Sequence, residues 1–349
     1  MNTFSKIKES NRAENLRSKS SKQMDLSVIR RLSSWSLKLF ISTAAIWYIV
    51  SKLQNSVVGL ELQAFSFSSF SKIHLTALGS LVLVVMAVNW GIEVLKWKWL
   101  VETQFSIRWT TAVKGVLSGV TVGVFSPNRI GEFIGRILAL SPERRVKASL
   151  LAFVNGLSQT MATVTFGVGG MIFLLSRIGE QALGILPTLI FQVVLFLFFL
   201  TTLFLYLRIE LFSTILLKIK FLKKYKRHLD VFSEIPSAML HQLYLLSLFR
   251  FSTFLAQYLI VFYLLLESTD WWAIGGASAL TLFSTTLVPF LPVPEILLRE
   301  SMALSYFQLF DVDLAMVTYA VLFVWTINVA IPALIGACVL FTYRIFKPR

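Results

Sequence analysis

Two short stretches carry the residues best suited to hold an anionic group inside an otherwise apolar chain. One is Phe125-Ser126-Pro127-Asn128-Arg129-Ile130-Gly131-Glu132-Phe133-Ile134-Gly135-Arg136, and the other is Pro289-Phe290-Leu291-Pro292-Val293-Pro294-Glu295-Ile296-Leu297-Leu298-Arg299-Glu300. Each sets proline ahead of Glu-x-x-x-Arg, after an apolar run opened by tryptophan: Trp109 in the first, Trp271 and Trp272 in the second. Glu132 and Arg136, like Glu295 and Arg299, stand four residues apart, so on a helix each acid meets its base on one face. Arg129, Arg250 and Glu300 complete the candidate set. Guanidinium groups take phosphate through paired hydrogen bonds and stay charged when buried. Glu132, Glu295 and Glu300 can neutralise those arginines until an anion replaces them. The alternative is that each Glu/Arg pair only locks its own hairpin, because buried ionic groups also fix geometry.

The elements that must position these residues are membrane helices. Of 349 residues, 56% are hydrophobic and 15% charged, with a mean hydropathy of +0.73, a balance far more apolar than that of soluble domains. The formal net charge of +15 would suggest nucleic acid in a soluble protein. Here its placement in loops argues instead for topology and for anionic lipid headgroups at the cytoplasmic face, with no nucleic-acid partner. Cys338 is the single cysteine, and His74, His228 and His241 are scattered, so the pattern offers no disulfide, no metal site and no cofactor site. Asp311-Val312-Asp313 matches a glycosyltransferase metal motif by pattern alone, but two acids at a helix start are far commoner.

The expected fold is all-α. Residues 1–31 read as a basic tail, followed by a transmembrane domain over residues 32–349. Its spans fall at about residues 33–50, 74–95, 148–175, 182–207, 239–266 and 314–343, and runs of about 20 residues suffice to cross a ~30 Å core. Lys96-Trp97-Lys98-Trp99 reads as an interface anchor closing the second span. Pro127 and the glycines break any straight helix through residues 109–140, giving a hairpin, and residues 272–310 repeat the pattern. In the fifth span Ser247, Arg250, Thr253 and Gln257 share one face, so Arg250 points at a partner or a cavity. In the third, Asn155, Ser158, Gln159 and Thr163 form a stripe that either lines a polar cavity or joins helices. Residues 208–234 mix lysines with apolar residues, as either a segment lying on the bilayer surface or a solvated basic loop would.

Loop lysines and arginines concentrate on one side, which puts both termini in the cytoplasm. Hairpin one then enters from the cytoplasm and hairpin two from outside. About six transmembrane helices plus two re-entrant helical hairpins result, in an inverted repeat of residues 32–175 and 183–343. Repeats with broken helices in corresponding positions are the architecture of alternating-access carriers.

Ser126-Pro127-Asn128-Arg129-Ile130-Gly131-Glu132, the stretch from Asn89-Trp90 to Lys96-Trp97, and the proline-rich second hairpin ending Arg299-Glu300 together give the chain its family likeness. It resembles the transmembrane region of lysylphosphatidylglycerol synthases, a family also described as flippase-like, from about the first span to the C-terminus. The resemblance implies a multi-pass inner-membrane protein that moves a polar-headed lipid between leaflets, and it admits a homodimer. The synthases carry a soluble aminoacyl-transfer domain after the membrane part, so this chain resembles the translocating half alone. Pro292-Val293-Pro294-Glu295 replaces the family's common Pro-Gly-Gly, and Asn155-Gly156 stands where many relatives carry charge. Both departures leave the headgroup open.

The sequence reading therefore expects translocation of a phosphate-containing lipid and no enzyme activity. The alternative is a membrane-embedded transferase acting on a lipid-linked substrate, for which no nucleophile, acid/base pair or metal cluster presents itself. A scaffold would leave the intramembrane charges unexplained. The topology is checked with single cysteines in a Cys338→Ser background: those at Lys224 and Arg145 should react with an impermeant thiol reagent only from the cytoplasm, and those at Asp270 and Asp311 only from outside. Labelling of Arg145 and Asp311 from the same side would remove the inverted repeat.

Overall fold

The computed structural model describes residues 72–124, 126, 129–218, 226–265, 270–287, 295–310 and 312–341. The expected tail, the expected first span, the tip of the second hairpin and Asp311 lie outside them. Among the described residues the chain is helical, with no strand. Helix α1 covers Lys72–Glu102, α2 Trp109–Gly123, α3 Gly131–Leu138 and α4 Pro142–Leu174, which runs through a π turn at Leu175–Gly179 into α5, Glu180–Leu183. Then come α6 (Ile185–Leu207), α7 (Glu210–Leu217), α8 (Lys226–Leu229), α9 (Val231–Glu234) and α10 (Ser237–Leu265). Helices α11 (Trp271–Leu287) and α12 (Glu295–Phe307) precede α13 (Leu314–Trp325), which passes through a π turn at Thr326–Ala330 into α14, Ile331–Phe341.

Five of these stretches are long and apolar enough to cross a membrane: Thr76–Glu102, Pro142–Leu183, Ile185–Leu207, Ser237–Tyr263 and Leu314–Phe341. They correspond to the second to sixth expected spans, and they make this a membrane-embedded helical protein. Apolar content drives that embedding, and local signals set the ends. Pro142 occupies the first turn of α4, where its missing N–H costs nothing, with Glu143 beside it at the positive end of the helix dipole. The Asp270 carboxylate accepts from the Ala273 N–H at 3.0 Å to start α11. Asp313 accepts from the Ala315 N–H at 2.9 Å to start α13, the helix-start role expected of the Asp-Val-Asp pair.

Two boundaries differ from the sequence reading. The third span does not turn at residues 176–181; the helix continues to Leu183, and the break comes at Gly184, whose φ of 87° only glycine adopts freely. The second span does not end at Leu95: α1 continues through Lys96-Trp97-Lys98-Trp99 to Glu102. Lys96 and Trp97 are buried, so they anchor no interface.

Helices α2 and α3 are 15 and 8 residues long, about 22 Å and 12 Å, too short to cross a ~30 Å core. They fold back on each other in antiparallel contact, with Gly115 against Ala139 at one end and Gly123 against Glu132 at the other. A side chain at Gly135 would collide with the Ser118 carbonyl, so this approach requires glycine. The two halves make matching contacts. Helix α1 packs on α10; α2 packs on α14 as α11 packs on α4; α3 meets α4 as α12 meets α13. The Thr121 hydroxyl donates to the Ala333 carbonyl at 2.8 Å across the α2–α14 seam, and Phe283 lies over Gly167 across the α11–α4 seam.

Gly135→Ala should therefore lower thermal stability in detergent by roughly 1–3 kcal/mol, as overpacking does. Gly91→Ala, with nothing within 4 Å of the added methyl, should be neutral or stabilising by up to ~1 kcal/mol. Equal melting temperatures for the two variants would show that the α2–α3 contact is loose.

Candidate functional site

The first hairpin aims its charges through an unusual turn. The Ser126 hydroxyl accepts from the Gly131 N–H at 2.6 Å, closing the entry to α3. Arg129 sits between them with a φ of 57°, the only non-glycine residue of positive φ among those described. That backbone costs an L-residue about 1–2 kcal/mol. It brings Arg129 Nε to 2.6 Å from Glu132 and to 4.0 Å from Glu295 at the start of α12. Arg136, one turn beyond Glu132, lies 3.4 Å from it. Arg299 and Glu295 are 2.5 Å apart. Both expected Glu/Arg pairs are thus formed, and the Arg129–Glu295 contact joins the two hairpins.

The centre of the site is a residue the sequence reading passed over. Glu93, buried on α1, lies 2.5 Å from Arg136, 3.5 Å from Arg250 and 3.5 Å from Lys96. Asn155 on α4 donates to the same carboxylate at 2.7 Å. Lys96 also donates to Gln159 at 3.5 Å. Arg250, on α10, stacks 5.3 Å from the Trp90 ring centre, and Arg136 sits 5.6 Å from that of Trp97. The signal was present: Glu93 precedes Lys96 by three residues inside an apolar helix, and an ionisable residue there is functional by default. Ending the second span at Leu95 had placed both near the rim.

The polar stripes act as joints. The Ser247 hydroxyl donates to that of Ser158 at 3.1 Å, Asn89 donates to the Arg250 carbonyl at 3.2 Å and to the Thr253 hydroxyl at 3.1 Å, and Gln257 donates to the Val82 carbonyl at 3.0 Å. Glu300 stands apart: it is half-buried and bonded to Thr318 on α13. Arg129, Glu132, Arg136, Arg250, Glu295 and Arg299 therefore come together with Glu93 and Lys96, and Glu300 does not.

Burial varies along the network. The Lys96 side chain is fully enclosed, Arg129 and Glu295 are 27% and 29% exposed, and Arg299 beyond them is buried again. Buried donors at Arg129 Nη2, Arg136 Nε and Arg136 Nη1 have no acceptor. Such an arrangement can bind an oxyanion. Among the described residues no group of three His, Cys, Asp or Glu is placed to hold a metal ion. No protein-family model, curated protein or solved structure matches this chain.

Glu93→Leu leaves three cations without their shared carboxylate and should destabilise the protein by about 3–5 kcal/mol. Glu300→Gln should change stability by less than ~1 kcal/mol, because Gln still reaches Thr318. Thermal melting of both purified variants checks this; similar values would demote Glu93 from the centre of the site.

Proposed function

We propose that the chain translocates a lipid with a phosphate-containing head between the leaflets of the inner membrane. The observation that carries this reading is the continuous ion network joining two broken helical elements, with buried guanidinium donors lacking acceptors. A phosphate arriving at the more exposed Arg129–Glu295 contact would displace the Glu295 carboxylate from Arg129, the longest contact in the network at 4.0 Å. It would then be handed inward to Arg136 and Arg250. Each exchange swaps one anionic partner for another, so no guanidinium is stranded unpaired in a medium of low dielectric.

In this reading both hairpins are re-entrant and the halves form an inverted repeat of six spans with both termini cytoplasmic. The matching contacts of α1–α4 and α10–α14 support it. Rocking of one half against the other would expose the network to each side in turn. In this reading the chain is a lysylphosphatidylglycerol synthase-like transmembrane protein, supported by its likeness to that family in the motifs quoted above. Basic loop residues such as Lys218 and Lys226 would hold anionic lipid at the cytoplasmic face.

Arg250 tests the assignment. Lysine keeps the charge but loses the planar fork and the stacking on Trp90. Arg250→Lys should slow lipid translocation in liposomes about tenfold, and Arg250→Gln further, since charge-assisted bonds contribute ~1.5–3 kcal/mol each. Yield should hold and melting temperature should fall far less than in Glu93→Leu, because Glu93 keeps Arg136, Lys96 and Asn155. A Gln variant with wild-type translocation removes Arg250 from the mechanism, and covalent modification of lipid without translocation would favour a transferase.

A further inference from the structure

We infer that the ligand of this network carries two negative charges at its phosphate end, as a phosphomonoester or diphosphate headgroup, and no cationic substituent. The inference rests on the reading of the network as a headgroup site and adds the class of headgroup.

Among the described residues, eight side chains form one connected set. Lys96, Arg136 and Arg250 surround Glu93; Arg136 continues to Glu132, Glu132 to Arg129, Arg129 to Glu295, and Glu295 to Arg299. Five cations thus face three carboxylates, a formal excess of two positive charges. Glu300 does not reduce it, being turned to Thr318. Excess charge of one sign is costly in a membrane interior. Four of the five cations are arginines, which do not shed a proton to relieve it.

Headgroup classes differ in how far they answer that excess. A phosphomonoester carries about −1.5 to −2 charges at pH 7 and a diphosphate linkage carries two. A phosphodiester such as phosphatidylglycerol brings one, a choline headgroup none, and an aminoacylated phosphatidylglycerol adds cations to five already present. Only the first two classes bring the site to neutrality. Their extra oxygens also suit the donors without acceptors on Arg129 and Arg136. Those donors are buried already, so bonds to them form without a further desolvation cost.

The test measures binding to the full-length protein in neutral detergent at fixed salt, by native mass spectrometry and thermal shift. The probes are phosphatidic acid, a sugar-capped prenyl diphosphate, phosphatidylglycerol, phosphatidylcholine, lysyl-phosphatidylglycerol, inorganic phosphate and pyrophosphate. Phosphatidic acid or the sugar-capped prenyl diphosphate should bind about tenfold or more tighter than phosphatidylglycerol, the scale of one additional charge-assisted contact. Lys96→Met, which removes one cation and leaves Glu93 with Arg136 and Arg250, should shrink that preference to about threefold or less. Equal binding of mono- and dianionic lipids, tighter binding of the choline or lysyl lipid, or a preference unmoved by Lys96→Met would each overturn the inference. Stabilisation by phosphate or pyrophosphate with none by any dianionic lipid would overturn the lipid source. A liposome assay runs alongside: tight dianion binding without translocation upholds this inference while overturning the flipping reading, and translocation of zwitterionic lipid alone does the reverse.

Discussion

A carboxylate buried in an apolar bundle must be paired, and Glu93 is the pairing on which this structure depends. Its oxygens meet Arg136 from α3, Arg250 from α10 and Asn155 from α4, besides Lys96 on its own helix. Four helices, three from the first half of the described chain and one from the second, are thus registered against one another by a single side chain. Apolar packing between membrane helices sets separation but little register, because lipid tails are as apolar as leucine. The ionic contacts supply the register, and their directionality explains why polar residues recur along the faces of α4 and α10 that meet α1.

The matching contacts of the two halves give the network its place. Helices α1 and α10 occupy corresponding positions and touch each other, and they present opposite charges, Glu93 and Arg250, across that contact. The Glu/Arg pairs of α3 and α12 correspond in the same way and are bridged by Arg129. Charge complementarity between α1 and α10 lets these two helices cohere without setting like charge against like.

Much of the helical plan was legible because hydropathy and proline are strong signals that act locally. The break between α2 and α3, the close approach at Gly135 and the helix start at Asp313 all follow from properties of single residues. The Glu132–Arg136 and Glu295–Arg299 pairs were legible from i,i+4 spacing. What failed to show was anything decided by a distant partner. Lys96-Trp97 has the composition of a membrane rim, yet Glu93 and Gln159 draw Lys96 inside. Glu300 has the composition of a site residue, yet it falls one residue past Arg299 on α12 and so turns about 100° away, toward Thr318. The helix end at Gly184 was misplaced because a π turn carried the chain through residues with ordinary loop polarity.

Arg129 stands under two demands that favour different amino acids. Its left-handed backbone is one that glycine adopts without strain, whereas the bridge between Glu132 and Glu295 needs a long, permanent cation. Replacement by glycine relaxes the turn and severs the two halves of the network; replacement by lysine keeps a charge, keeps the strain and gives up the fork. Neither replacement meets both demands. The bridge between the two halves of the network is thus carried at the one described non-glycine position whose backbone resists it.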